Sequence, residues 1–592
     1  MLRSVSSLFR TGICAVLYGL LVCAAVDVRA QQNIRINQIG FEPSSPKKAI
    51  VFTSTPGTFN LKNSAGKTVY TGQLKRSEQP AFNGKYTYIA DFSFFRAPGK
   101  YVIEVPGNGS SYPFKIEKGV LSGVARSTIK AYYFIRASIP LKVQYAGKWA
   151  RAEGHPDTAV FIHASAVSPG RPEGYKISSP RGWYDAGDYN KYIVNSGIST
   201  ATLLSLYEDF PGYMKGGNLN IPESGNNIPD VLDEALWNIR WMLTMQDPHD
   251  GGVYHKLTNA VFDPFVMPDK ATTKRYVVQK TTAATLDFAA VMAQASRIFK
   301  NYRSTLPGLS DSCLKAAQQA WGWARQNPQV LYNQNLLNEK YMPKVTTGTY
   351  GDFNVSDEFI WAAAELFTTT GDKTYIDTVN ILPDDKMPLP NWGQVRLLGY
   401  YTLSRYTKAL SKVIPAQVAD INKRLIAFAD QMVAGANENA YQTVMDKSVA
   451  NFNWGSNANA GNQGVALLQA YLLTSNRKYL DYAVANLDYI LGRNGTGYCY
   501  VTGFGSKPSM HPHHRPSVAD GVVDPIPGLV VGGANPGMQD GIPTPSKVPD
   551  EAYVDDDRAY SVNEVAINWN APVAYLANAV EAIYGHNFAL RK

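Results

Sequence analysis

The 592-residue chain has few cysteines, a low share of charge and almost no long apolar runs. Its four cysteines form no Cys-x-x-Cys pair and no zinc-ribbon spacing, which removes the common thiolate metal sites and dithiol redox motifs. Charged residues are 18% and hydrophobic residues 45%, a balance that excludes bulk disorder. No block of Lys and Arg accompanies the net charge of +9, so no nucleic-acid partner is expected. The longest apolar run, Ile13 to Val26, falls short of the roughly 20 residues a membrane span needs.

That run has another use. Arg3 and Arg10 precede it, and Val28-Arg29-Ala30 follows as a small-residue cleavage site. Residues 1–30 therefore read as a secretory signal peptide cut near Ala30, and the protein is expected to be secreted or periplasmic. Lipidation at Cys23 is disfavoured by the bulky Val22 before it. Without residues 1–30, which carry Arg3, Arg10, Arg29 and Asp27, the net charge falls from +9 to +7. Cys313 and Cys499 remain and are expected to be free, buried thiols. What the chain has in excess is aromatic: 36 Tyr and 10 Trp. Stacking on sugar rings and a Tyr-rich core are both consistent with that count.

Two regions differ in period. From Asn33 to about Glu117 the pattern is short and β-like. Ile34 to Asn37, Ala49 to Phe52, Tyr86 to Asp91, Lys100 to Val105 and Ser111 to Ile116 are separated by Gly, Pro and Asn. This predicts a small β-sandwich over residues 31–117. Residues 118–592 turn helical, with about a dozen apolar-periodic segments and long Gly- and Pro-rich connections. In Pro229 to Gln246, for example, Val231, Leu232, Ala235, Leu236, Ile239, Met242 and Leu243 form one face. No strand series alternates with these helices, which disfavours a parallel α/β fold. Function is expected in the long loops.

Three loops carry candidate chemistry. In Gly182-Trp183-Tyr184-Asp185-Ala186-Gly187-Asp188-Tyr189 two carboxylates lie three apart, a spacing that lets both reach one water. A capping or turn Asp explains the pair equally well from spacing alone. The second loop, Tyr553 to Glu564, is acid-rich and ends with Glu564 between Val562 and Val565. Partial burial there raises a carboxyl's pKa and suits a general acid; a Glu at a helix start is the alternative. The third, His511-Pro512-His513-His514-Arg515, offers either metal ligands or polar groups for a ligand.

Together these segments resemble glycoside hydrolase family 9, the inverting cellulase family. Its C-terminal signature is met at Tyr553, Asp555, Tyr560, Glu564, Ala566, Asn570 and Ala571. A second signature runs from Val501-Thr502-Gly503-Phe504-Gly505-Ser506-Lys507 to Pro512-His513-His514-Arg515, with one departure at Cys499. Ile34 to Phe41 and Pro46 to Ala49 resemble the immunoglobulin-like domain that precedes one branch of the family. The resemblance implies an N-terminal Ig-like β-sandwich followed by an all-α (α/α)6 barrel. It implies that Asp188 is the base that activates water, Asp185 its helper and Glu564 the general acid. His513 and Arg515 are implied substrate-binding residues, with Tyr560, Trp454 and Trp392 as sugar platforms. It implies no organic cofactor, and structural calcium at Asp357-Glu358. The zinc site of some relatives is not expected, because Gly154-His155 and His163 stand in that stretch without cysteine. The expected substrate is cellulose or a related β-1,4-glucan, taken by a monomer with no membrane span. Xyloglucan, mixed-linkage glucan and chito-oligosaccharides remain open as alternatives, as does a non-catalytic glycan-binding role.

Overall fold

A computed structural model describes residues 33–586; the expectations for residues 1–30 lie outside it. The N-terminal region is a β-sandwich. Ile34–Arg35, Lys48–Val51 and Tyr88–Asp91 form one antiparallel layer, and Thr58–Asn63, Gly99–Val105 and Phe114–Ile116 form the other. The long strand Thr68–Arg76 joins them, since Thr68 to Gln73 pair with Thr58–Asn63 while Leu74 to Arg76 pair with Tyr88–Asp91. Between the layers Phe41 meets Phe92 and Phe114 edge-on, with centroids 5.4 and 5.5 Å apart. The hairpin Thr58–Arg76 was not expected from the sequence. Its second strand buries little more than Leu74, so it lacks the alternation that marks a half-buried strand.

The helical region has two rings. Ile193–Asp209, Thr282–Phe299, Ser356–Thr370, Arg396–Arg405, Ser456–Thr474 and Ile567–Gly585 are buried on nearly all sides. Helices such as Leu309–Gln326, Pro415–Val433 and Arg477–Ile490 bury one face against them. This is an (α/α)6 barrel, with apolar stripes on the outer helices and small residues where inner helices touch. Gly464 packs on Leu576 and Gly399 on Trp361 and Ala364, where an added Cβ would come within 2.6 and 3.1 Å.

At one end of the inner ring a buried charge network ties helices together. Arg405 bonds Asp209 with both Nε and Nη2, at 2.7 and 2.8 Å. Arg297 joins Glu208 at 2.9 Å and Glu365 at 2.8 Å. The opposite end, where the inner helices begin, is open to long loops. A small five-stranded sheet of two- to four-residue strands also stands in this region, in the order Lys176–Ile177, Val160–Ile162, Arg275–Val277, Lys256–Asn259, Lys191–Tyr192. Strands this short leave no period to read in the sequence. Cys313 and Cys499 are free and buried.

The sandwich packs on the barrel through the loop that leads to His513. Gln38 donates to Gly497 O at 2.8 Å and accepts from the N–H groups of Ser506 and Lys507 at 2.9 and 2.8 Å. Asn37 donates to Asp488 Oδ1 at 2.8 Å. These polar contacts, with an apolar seam of Ile50, Ala81 and Ile89 against Ala440 and Tyr441, fit a structural domain.

Candidate active site

The singled-out side chains converge at the mouth of the barrel, in loops that run into inner helices. Asp185 and Asp188 precede Ile193–Asp209, Tyr350 precedes Ser356–Thr370, and Trp392 precedes Arg396–Arg405. Trp454 precedes Ser456–Thr474, and Glu564 precedes Ile567–Gly585. Helix N-termini aimed at one cleft favour negative charge there.

Asp185 and Asp188 differ in how their oxygens are used. Asp185 is 1% exposed. Asn195 Nδ2 donates to its Oδ1 at 2.8 Å and the Tyr350 hydroxyl to its Oδ2 at 2.9 Å. In Asp188 only Oδ2 is engaged, by the side chain and backbone N–H of Asn190 and by the Tyr192 hydroxyl at 3.5 Å. Among the described residues Oδ1 of Asp188 accepts no hydrogen bond. Glu564 lies 377 positions along the chain from Gly187, whose N–H reaches its Oε1 at 3.3 Å. A parallel bridge between His513 and Glu564, and the bond from Gly532 N–H to Glu564 O at 2.8 Å, fix its backbone. Gly187 is needed at this crossing: a Cβ there would sit 2.3 Å from His513 O and 3.2 Å from Glu564 Oε1.

Burial and mutual repulsion set the protonation. Burial first, then Asp188, pushes Asp185 up to about 8. Burial, then Asp188 and Asp185, holds Glu564 well above the usual carboxylate range. Near neutral pH Asp185 and Glu564 therefore retain protons that isolated acids would release. The raised pKa values set a sign for stability. The folded protein gains from a protonated Glu564 at low pH and loses that gain as pH rises through the folded pKa. Glu564→Gln, which has no charge to bury, is expected to melt above the wild type at pH 8, by roughly 1–3 °C. The difference should shrink towards pH 5, and calorimetry at both pH values checks it.

The binding candidates surround these groups. His513 donates through Nδ1 to Asp557 O, 2.6 Å away, and burial lowers its pKa, keeping it neutral. Its ring meets Tyr560 edge-on at 5.8 Å, and Tyr560 lies 5.4 Å from Trp454, which is 44% exposed. Arg515 donates through Nη1 to Gly187 O and through Nε to Asp263 O, each at 2.8 Å. Trp392 touches Tyr350 edge-on at 5.3 Å. His514 turns inward to Ser517 at 2.9 Å, so the three histidines do not act as one cluster. His155 pairs with the Tyr184 hydroxyl at 2.9 Å, and His163 with Pro343 O at 2.9 Å. Sequence reasoning missed Asn190, Asn195, Tyr350 and Lys256. Lys256 is buried with its Nζ on Gly348 O at 2.6 Å and its pKa lowered to about 7 by burial. Their only signal would have been proximity.

Asp357 and Glu358 open the helix Ser356–Thr370. Asp357 Oδ2 accepts from Val395 N–H at 2.6 Å. Asp357 Oδ1, both oxygens of Glu358, both of Asp287 and Asp352 Oδ2 are buried without a hydrogen-bond partner. Burial, with repulsion among them added, raises Asp287 and Glu358 well above the usual carboxylate range. Among the described residues no three His, Cys, Asp or Glu side chains already converge at ligand distance. Hard oxygen donors left unpaired nevertheless fit a calcium ion.

A pair of acids set against a third carboxyl, with aromatic rings along an open cleft, is the equipment of a glycoside hydrolase. Comparison with known proteins agrees. The glycosyl hydrolase family 9 model matches residues 122–577, and the cellulase N-terminal Ig-like domain model matches residues 29–110. The chain belongs to glycosyl hydrolase family 9. It is 45% identical to the xyloglucan-specific endo-β-1,4-glucanase BoGH9A of Bacteroides ovatus, over 96% of this chain and 97% of that one. It is 34% identical to endoglucanase D of Acetivibrio thermocellus, over 92% and 82%. Among solved structures, Bacteroides ovatus GH9 superposes with a TM-score of 0.89 at 44% identity, covering 94% of this chain and all of that one. A metagenome-derived family 9 endoglucanase gives 0.84 at 32% identity, covering 93% and 98%.

Proposed function

We propose that the protein hydrolyses internal β-1,4-glucosidic bonds of a β-glucan with inversion at the anomeric carbon. Asp188 deprotonates the attacking water, Asp185 holds that water and orients the base, and Glu564 protonates the leaving oxygen. The observation that carries this reading is the unequal use of the carboxyl oxygens. Asp185 has both oxygens bonded to protein donors, whereas Asp188 keeps Oδ1 open to the cleft. Glu564, partly exposed and held protonated by its surroundings, keeps Oε2 without a protein hydrogen bond among the described residues. One carboxyl can therefore take a proton while another gives one, with no organic cofactor. In inverting enzymes such a pair stands roughly 6.5–9.5 Å apart, leaving room for the water. The endo-β-1,4-glucanases among its relatives support the linkage, and BoGH9A supports xyloglucan as a substrate. Release of oligosaccharides from xyloglucan, mixed-linkage glucan and carboxymethyl cellulose tests the reading; intact polymer in all three would overturn it.

His513 and Arg515 hold the sugar ring beside Glu564, and Tyr560, Trp454 and Trp392 are stacking platforms along the chain. Residues 1–30 direct export, and no helix among the described residues is long and apolar enough to cross a membrane. We infer a structural calcium ion at Asp357 and Glu358, completed by Asp287 and Asp352. Adding calcium at a hundredfold excess over Kd should stabilise the fold by about 2.7 kcal/mol. Asp357→Asn should abolish the rise in Tm, as read by calorimetry with calcium and with chelator.

A further inference from the structure

The loop from Val261 to Thr273 presents apolar side chains to solvent beside the cleft. Val261, Phe262 and Phe265 are 57, 45 and 41% exposed. Large apolar groups grouped on a surface usually mark something they receive. This loop is not loose. Asp263, between the two rings in sequence, is 8% exposed, and its carboxylate accepts from Asn259 Nδ2 at 3.0 Å and Thr273 Oγ1 at 3.1 Å. Its carbonyl accepts from Arg515 Nε at 2.8 Å, and the Tyr189 hydroxyl holds Val266 O at 2.5 Å. The two phenyl rings flank the Arg515 guanidinium, with centroids 5.7 and 5.3 Å from its carbon. Phe265 also meets the His513 ring edge-on at 5.1 Å.

The same loop is registered to the proposed base. Asn190, whose side chain bonds Asp188, also accepts from Asn259 N–H at 2.9 Å and Thr258 Oγ1 at 3.0 Å. The phenyl pair thus sits at a set place relative to the bond that is cut. It carries no hydroxyl, amide or carboxylate facing outward with which to align a ring for attack. Phenyl faces alone give stacking area with little orientation, and the polar groups beside them, Arg515 and His513, serve the main-chain ring. A main-chain sugar at the cleavage point needs orientation; a sugar hanging from the main chain needs only to be received.

Building on the function proposed above, we propose that Phe262 and Phe265 form a subsite for a pendant pyranose of a branched β-1,4-glucan. The loop then sets the preference for branched over unbranched chains. A rigid platform binds without an ordering cost. The test compares kcat/KM on xylosylated cello-oligosaccharides with that on unbranched cello-oligosaccharides of equal main-chain length. Phe262→Ala is the cleaner variant, because Phe265 also touches His513. The ratio of branched to unbranched kcat/KM should fall about tenfold, the scale of one lost aromatic contact. Phe262→Tyr, which keeps the ring, should restore it. A ratio left unchanged, whether both substrates suffer equally or neither does, would overturn the inference. A wild type that cleaves neither substrate would overturn the proposed function instead, and the subsite with it.

Discussion

Glu564→Gln should lower kcat on a natural β-glucan by about 10²–10⁴-fold, the usual contribution of a positioned general acid. The substitution keeps the shape and the contact with Gly187 N–H but removes the proton. The loss should depend on the leaving group. A cellobioside of a strongly acidic phenol departs without protonation, so the same variant should keep most of its rate on that substrate. A loss of equal size on both substrates would mean that Glu564 does not donate the proton. The pH profile carries the same sign. Activity needs Glu564 protonated, so kcat/KM should fall as pH rises through its raised pKa, and that alkaline limb should flatten in the variant with the activated substrate.

Asp188→Asn should have the second large effect and the opposite substrate pattern. The water must lose a proton whatever the leaving group is. A loss of about 10²–10⁴-fold is therefore expected on the natural glucan and on the activated cellobioside alike. Asn preserves the contact that Asn190 and Tyr192 make with Oδ2 only if its amide turns suitably, so calorimetry should accompany the kinetics. Activity close to wild type on either substrate would remove Asp188 from the role of base.

Much of this is legible in the sequence. The switch from period two to helical period separates the sandwich from the helical region, and the family resemblance supplies the barrel, whose inner helices are buried on nearly all sides. Asp185, Asp188 and Glu564 are singled out through the family resemblance, since spacing alone explains the two aspartates as capping or turn residues. Their neighbours in the motif proved to be scaffold. Trp183 is buried against Tyr132, with ring centroids 4.5 Å apart, and Gly182 adopts φ +81 where a Cβ would come within 2.8 Å of Trp241. What the sequence hid was partnership across distance. Tyr350 is 165 positions from Asp185, and no local pattern announces such a bond. Asn190 and Asn195 looked like ordinary polar residues at a helix start.

The most direct measurement is the anomeric configuration of the first product, followed by proton NMR during hydrolysis of a β-1,4-glucan that the enzyme cleaves. A base and an acid on opposite sides of the bond, with a water between, predict α-anomer at the earliest times, relaxing afterwards to the equilibrium mixture. Initial β-anomer would require a carboxylate acting as nucleophile, and would contradict the roles assigned to Asp188 and Glu564.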